Sequence, residues 1–237
     1  MKNIMDENRT KAIFLLRKNR TSLVWSGVST FENNPATLPA TQTILEGFSV
    51  PGLTLTELEQ IKNLGKGVNL LVELLTSEKF VFDQDTACKI HNVVGREEAL
   101  TWGKFRNDTV SIQNVEYTPP GPDKLPQIWH DVQEKVEKLI AEDKPELASA
   151  EAFCQMSRAQ FFFDCNKRTA WLMSLGILAE AGYPPYALNV RDKLRFNETL
   201  TAFYNSGDST DMVSLLLEYA GLPHPELAHH SKCKLRM

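Results

Sequence analysis

The stretch QFFFDCNKRTAW, Gln160 to Trp171, carries the clearest signal for the fold of this chain. Three phenylalanines run directly into an acid, an amide and two cations. A helix starting near Thr169 would present unpaired backbone N–H groups and the positive end of its dipole to this turn. Lys167 and Arg168 beside those donors favour an anion, and phosphate is the natural ligand. The alternative is a solvated helix cap in which Asp164 pairs with one of these cations.

The other residues of this loop have roles that depend on whether phosphate binds. A carboxylate at Asp164 beside bound phosphates would hold Mg²⁺, because a hard cation with oxygen ligands bridges both. Asn166 would either fix the loop or hydrogen-bond a phosphate oxygen. Cys165 is either a thiolate favoured by its cationic neighbours or simply a small loop residue. At least two of the phenylalanines at 161–163 are expected in the core.

Hydrophobic periodicity on both sides of the stretch predicts a mainly helical fold. The sequence TLTE at Thr54–Glu57 has the spacing of a capping box, and the apolar residues that follow it recur every three or four positions. Helices are expected at about 7–20, from 54 onward, and at 81–100, 124–142, 148–161, 169–182, 192–205 and 208–220.

The segment from Gly103 to Pro120, GKFRNDTVSIQNVEYTPP, has a different pattern. Val110 and Ile112 alternate with polar residues, which predicts a short β-hairpin flap closed by the two prolines. The predicted fold class is therefore all-α with one short hairpin. We expect N-terminal helices in 1–60, a core domain in 61–222 and a flexible tail in 223–237, with His224, His229 and His230 of the tail as alternative metal ligands.

Composition excludes several classes of partner. The chain has 237 residues, a net charge of −4 and four cysteines without a CxxC pair. This charge gives no general signal for nucleic acid or an anionic membrane, and no segment approaches 18 consecutive apolar residues. We expect a cytoplasmic protein without a structural zinc site or a disulfide framework.

The motif resembles the signature of the Fic/Doc (Fido) family, H-x-F-x-[D/E]-G-N-G-R-x-x-R. The Doc branch has H-x-F-x-D-x-N-K-R-T, which this chain matches from Phe162 through Thr169. The segment Gly103–Pro120 resembles the G-x-[FY]-R-x-x-x-V segment of the family and its flap. Ser29–Gly47 resembles the inhibitory-helix region, and the resemblance covers about residues 28–220.

The resemblance implies a transferase that uses ATP and Mg²⁺ to modify a Ser, Thr or Tyr hydroxyl of a target protein. Transfer of AMP is the usual reaction, whereas the Doc branch is a phosphotransferase acting on a translation elongation factor. The resemblance assigns Mg²⁺ to Asp164 and target docking by β-strand addition to a flap containing Val110 and Ile112. It assigns the nucleotide phosphates to Asn166, Lys167, Arg168 and Thr169.

Departures from the signature make activity uncertain. Gln160 stands at the position of the general-base His, and an amide cannot accept a proton as a neutral imidazole does. Lys167 replaces the second Gly of the main family and favours Doc-like binding. The resemblance thus assigns the catalytic positions of the motif to Gln160 and Lys167. His91 and His130 are expected to be capping or core-edge residues on helices, with service as an alternative base as the second possibility.

Regulation is also altered in this chain. Trp171 replaces the second Arg, so the candidate inhibitory Glu32 lacks its usual partner, and Arg168 is a substitute. Glu32 could equally be an ordinary surface or capping carboxylate. We therefore expect either a weak or altered transferase or a catalytically inactive regulator, with an antitoxin partner or self-association left open.

Overall fold

The computed structural model describes residues 2–223 and, from residue 6 onward, their side chains. The described part is helical, and the tail histidines His224, His229 and His230 lie outside it. The helices are α1 (Lys2–Lys18), α2 (Arg20–Glu32), α3 (Leu38–Leu45), α4 (Leu55–Thr76), α5 (Gln84–Val94), α6 (Leu125–Ala141), α7 (Pro145–Ala159), α8 (Asn166–Glu180), α9 (Lys193–Ser206) and α10 (Thr210–Ala220), with 3₁₀ turns at Pro122–Lys124 and Val190–Asp192.

Helix α8 is the centre of the fold. Most of its residues are buried, and it packs against α1, α2, α4, α5 and α7. A helix that is apolar all round has no solvent face and must be enclosed by its neighbours. The loop that leads into the N-terminus of α8 is therefore attached to a buried helix that packs against five other helices.

The N-terminal region contains two helices where one was predicted. The chain breaks at Asn19 between α1 and α2, and α2 continues to Glu32, well past the end of the helix predicted at about 7–20. Asn33 ends α2 in the left-handed conformation (φ 57°), which asparagine tolerates better than most residues. The start of α4 is as predicted, since Thr54 and Glu57 form the full capping box.

The prediction of a β-hairpin at 103–120 is wrong, because no strand is present there or elsewhere in the described residues. An isolated two-stranded hairpin is only marginally stable, and the fold offers no sheet for it to join. Side chains hold the segment instead: Asn205 Oδ1 accepts the backbone N–H groups of Glu116 (3.1 Å) and Tyr117 (3.2 Å). Ile112, like Tyr117, packs partly buried against the core, which accounts for the alternating pattern.

The phenylalanine run anchors the motif loop, as predicted. Phe161 and Phe162 are fully buried, whereas Phe163 is half-buried and borders a cleft. Phe161 packs against Phe105 with ring centroids 4.8 Å apart, and Phe162 stacks on His91 at 3.8 Å. The loop is therefore fixed to α5 and to the flap segment. Among the described residues, no helix is long and apolar enough to cross a bilayer.

Candidate functional site

A polar cavity of about 600 Å³ lies over the motif loop. Its walls come from the end of α2, the flap tip at 111–115, the loop itself and α9. Gln160, Asp164, Asn166 and Lys167 line it. A slightly larger cavity of about 670 Å³, lined in part by Phe80, Phe82 and Ile140, lies elsewhere and contains no motif residue. The chemistry predicted from the sequence therefore converges on the polar cavity.

Strained backbone is concentrated around this cavity. Seven non-glycine residues of the described chain have positive φ, and four of them line the cavity: Asn33, Asn114, Gln160 and Cys165. Gln160 ends α7 with φ 51°, and Cys165 precedes α8 with φ 58°. Left-handed backbone costs about 1–2 kcal/mol for a residue with a Cβ and persists where surrounding structure enforces it. Such clustering is typical of functional loops.

Asn166 holds the loop together from inside. Its Oδ1 accepts the Phe162 N–H at 2.9 Å, and its Nδ2 donates to the Phe162 carbonyl at 2.8 Å. The same Nδ2 donates to Gln160 Oε1 at 3.0 Å. Asn166 is buried and starts α8, three residues earlier than predicted. Asn166 was expected either to fix the loop or to hydrogen-bond a phosphate oxygen, and these contacts are the ones that fix the loop.

Gln160 has both ends of its amide engaged. Its Nε2 donates to the Ser157 carbonyl at 2.6 Å, while its Oε1 accepts from Asn166. Its backbone carbonyl accepts from Arg106 Nε at 2.6 Å. At the position of the family base, this chain therefore has a residue that fixes the turn and offers no titrating group.

Neither alternative base lines the cavity. His91 is fully buried behind the loop, with Nδ1 accepting the Gly103 N–H at 3.1 Å and Nε2 lying 3.2 Å from the Asp164 carbonyl. These contacts require a neutral ring that carries its proton on Nε2. Burial, with a smaller contribution from Arg168, lowers the pKa of His91 to about 4. His130 is exposed on α6.

Arg168 lies beneath the loop between two carboxylates. Its Nη1 and Nη2 donate to Glu98 Oε1 (2.9 Å) and Oε2 (2.8 Å), a two-pronged pair. Its Nε lies 3.0 Å from Glu32 Oε1 as an ion contact without hydrogen-bond alignment. The predicted Glu32–Arg168 pair is thus present, and one cation faces two anions. Burial alone would lower the pKa of Arg168, but contacts with the Cys165 sulfur and both carboxylates raise it.

Cys165 is a buried thiol, which agrees with the second of its two alternatives, a small loop residue, and not with a thiolate. Burial raises its pKa well above the ordinary value and outweighs the attraction of Arg168. Arg168 Nη2 lies 2.8 Å from its sulfur. A protonated thiol held under a loop packs the loop and has no use as a nucleophile.

The remaining predicted site residues divide between the cavity and the interior. Lys167 lines the cavity and donates from Nζ to the Phe31 carbonyl at 2.7 Å, which caps the end of α2. Asp164 is exposed and forms no ion pair with either motif cation, so the solvated ion-pair interpretation does not describe it. Thr169 is fully buried and, like Arg168 and Val110, does not line the cavity, whereas Ile112 does.

Two important residues of the site carried no assigned role in the sequence. Glu98 holds Arg168 from the end of a turn-rich segment, and its position in sequence gives no sign of that contact. Arg106 is buried and donates from Nη1 to the Asp108 carbonyl (2.7 Å) and from Nη2 to the Pro120 carbonyl (2.5 Å). Together with its bond to Gln160, these contacts tie both ends of the flap to the motif loop. Its place in the G-x-[FY]-R segment was the available signal.

The donor set fits a magnesium ion that bridges protein and phosphate. The described residues contain no cluster of three or more His, Cys, Asp or Glu side chains suited to a metal. Mg²⁺ in nucleotide sites commonly uses one or two carboxylates plus phosphates and water, so it needs no such cluster. Asp164, exposed at the cavity and free of cations, meets that requirement.

In class, this is a helical protein that encloses a polar cleft at a buried helix N-terminus, and solved structures share its fold. Fic-1 of C. elegans superposes with a TM-score of 0.71 at 22% identity, over 92% of this chain and 68% of that one. IbpAFic2 in complex with adenylylated Cdc42 superposes with a TM-score of 0.53 at 15% identity, over 91% of this chain and 74% of that one.

Sequence comparison shows which proteins this chain is similar to. Residues 81–178 match the model of the Fic/DOC family. A protein adenylyltransferase Fic of Nematostella vectensis is 28% identical over 184 residues, 75% of this chain, and the chain spans 42% of that relative's length. Over these residues the chain is similar to the Fic/DOC family, in agreement with the resemblance seen in its motif.

Proposed function

We propose that this protein binds ATP with Mg²⁺ in the cavity over the Asp164–Arg168 loop and transfers a nucleotidyl or phosphoryl group to a hydroxyl of a target protein. The observation that carries this proposal is the polar cavity, which Asp164 and Lys167 line at the start of α8. A helix N-terminus with an adjacent cation attracts phosphate, and Asp164 supplies the carboxylate for Mg²⁺. The adenylyltransferase name of the Nematostella vectensis relative supports AMP transfer.

In this proposal the residues of the chain act mainly by positioning. Asn166 and Arg106 hold the loop in its strained form, so the donors at the start of α8 are fixed before a ligand arrives. Such preorganisation accounts for much of the catalysis in phosphoryl-type transfer. Asp164 would hold Mg²⁺, whose charge would offset that of the phosphates. Ile112, at the flap tip, would contact the target segment.

The absence of a base at Gln160 limits the proposed reaction. General-base assistance contributes about 10²–10⁴-fold, so transfer would be slow or would use a target hydroxyl activated in another way. The engaged amide of Gln160 also favours a second candidate function, a catalytically inactive regulator that uses the same cleft to bind a protein such as an antitoxin. The two functions differ in whether the native protein labels a target.

Paired labelling separates these functions. The purified protein would be incubated with lysate and either α- or γ-labelled ATP. Label from the α-phosphate alone indicates AMP transfer, and label from the γ-phosphate alone indicates phosphorylation. Strong labelling by the native protein contradicts the inactive regulator.

A substitution that restores the base extends this experiment. Gln160→His is expected to raise transfer by up to about 10⁴-fold, whereas Gln155→His, in the last turns of α7 and outside the cavity, should leave it unchanged. If neither the native protein nor Gln160→His labels any protein from either nucleotide, the transferase proposal is wrong.

A further inference from the structure

The motif supplies fewer free cations to the cavity than its sequence suggests. Arg168 is buried and outnumbered by Glu32 and Glu98. Trp171, at the place of the family's second Arg, is fully buried and packs edge-on against Phe31 at 5.8 Å. Lys167 is therefore the one motif cation that lines the cavity. A triphosphate carries up to four negative charges, so a second source of positive charge is expected nearby.

Helix α9 carries a lysine, Lys193, one turn away from residues that line the cavity. Asn197 and Thr201 line the cavity, and Lys193 lies four residues before Asn197, on the same helix face. Phe196 packs 5.8 Å from Phe31, the residue whose carbonyl accepts the hydrogen bond from Lys167. The first turn of α9 therefore lies beside Lys167 at the end of α2.

The charges of Lys193 and Lys167 act on each other. Burial and then the positive charge of Lys167 lower the pKa of Lys193. Lys193 is half-buried and forms no ion pair with any described residue. Two ammonium groups held close together repel each other, and an anion with several charges would relieve that repulsion.

We propose that Lys193 and Lys167 together bind the polyphosphate chain of the nucleotide and give the cavity its preference for triphosphates over monophosphates. This inference rests on the proposed function and adds to it a residue from a separate helix. The charge that the motif lacks at Trp171 is then supplied from α9. A monophosphate has too few charges to need both lysines, so it would respond little to the loss of Lys193.

Calorimetric titrations of ATP and AMP, each with Mg²⁺, test the inference. Lys193→Met keeps an unbranched stem of similar length without the charge and is expected to weaken ATP binding about tenfold, while AMP binding changes less than about twofold. Lys193→Arg should restore most of the ATP affinity. Lys66→Met, an exposed lysine on α4, is the matched control and should bind like the native protein.

The outcomes distinguish the two levels of the proposal. If the native protein binds ATP and Lys193→Met binds it equally well, the subsite is wrong and the proposed function stands. If the native protein binds no nucleotide, both are wrong. Acetylation of the native protein by acetic anhydride gives a readout without a variant: MgATP should protect Lys193 but not Lys66, and AMP should protect neither. Equal acetylation of Lys193 with and without MgATP contradicts the subsite.

Discussion

At the scale of single residues, Arg168 is held between two carboxylates beneath the motif loop, and this determines how the loop tolerates substitution. Arg168→Ala would leave Glu98 and Glu32 facing each other without a cation, and Glu98 is almost fully buried. Breaking a buried ion pair from one side costs about 3–5 kcal/mol, and we expect the free energy of unfolding to fall by that amount in urea denaturation.

An exposed arginine is the control for this experiment. Arg96→Ala should change the free energy of unfolding by less than about 0.5 kcal/mol, because Arg96 is largely solvated. A loss for Arg168→Ala no larger than that of Arg96→Ala would contradict the structural role of Arg168. The size of the expected loss also makes Arg168 a poor probe of ligand binding, since a variant that does not fold cannot report on a site.

His91 predicts a dependence of stability on pH. Its pKa is about 4 in the folded protein, against about 6.5 in the unfolded chain. Between pH 4 and pH 6.5 the unfolded chain binds more protons at His91 than the folded protein does. The contribution of His91 to the free energy of unfolding is therefore fully present above pH 6.5 and is lost as the pH falls towards 4. This difference in pKa corresponds to about 3 kcal/mol in the free energy of unfolding.

Urea denaturation at pH 7 and pH 5 of the native protein and of His91→Gln measures this contribution. Glutamine can accept from Gly103 and donate to the Asp164 carbonyl but does not titrate. The native protein should therefore lose more stability than the variant when the pH is lowered. An equal loss in both would show that His91 is not the source.

At the scale of elements, the flap segment 103–120 depends on side chains instead of strand pairing. Arg106→Leu removes donors from three backbone carbonyls, those of Gln160, Asp108 and Pro120. We expect faster amide hydrogen exchange across 108–120 and a loss of stability of about 2–4 kcal/mol, because buried acceptors lose their partners. Exchange in α4 serves as the internal control, and an unchanged flap would contradict the role of Arg106.

Local patterns predicted elements well where the deciding physics is local. The capping box at Thr54 and the burial of α8 follow from spacing and composition alone. The break at Asn19 was missed because no glycine or proline marks it. The hairpin was wrong because half-burial against helices produces the same alternation as half-burial in a sheet.

For the site, too, the features set by neighbouring residues could be predicted from the sequence, and those set by tertiary packing could not. The motif placed Asp164, Asn166 and Lys167 at one loop, since they are neighbours in sequence, and the cavity contains all three. Glu98 and Lys193 could not be assigned from the sequence, because their contributions depend on tertiary contacts between segments that are far apart in the chain. Arg168 was placed correctly at the loop, but its burial under two carboxylates is a tertiary effect.

At the scale of the whole molecule, four separate parts of the chain meet at one cleft. The end of α2 contributes Glu32, the flap contributes Ile112, the motif loop contributes Asp164 and Lys167, and α9 contributes Asn197 and Thr201. Strained backbone in three of these parts borders the same space. This arrangement supports a ligand site built from several segments of the fold. A simple helix cap would not require the other segments to border the same space.

The central claim is that the cleft binds a nucleotide through the motif loop, and calorimetric titration of MgATP tests it most directly. The native protein is expected to give a saturable isotherm, and Lys167→Ala to weaken it about tenfold or more, because the cation that lines the cavity is lost. Lys66→Met should match the native protein. A flat isotherm for folded native protein, or equal affinity in Lys167→Ala, would contradict the account.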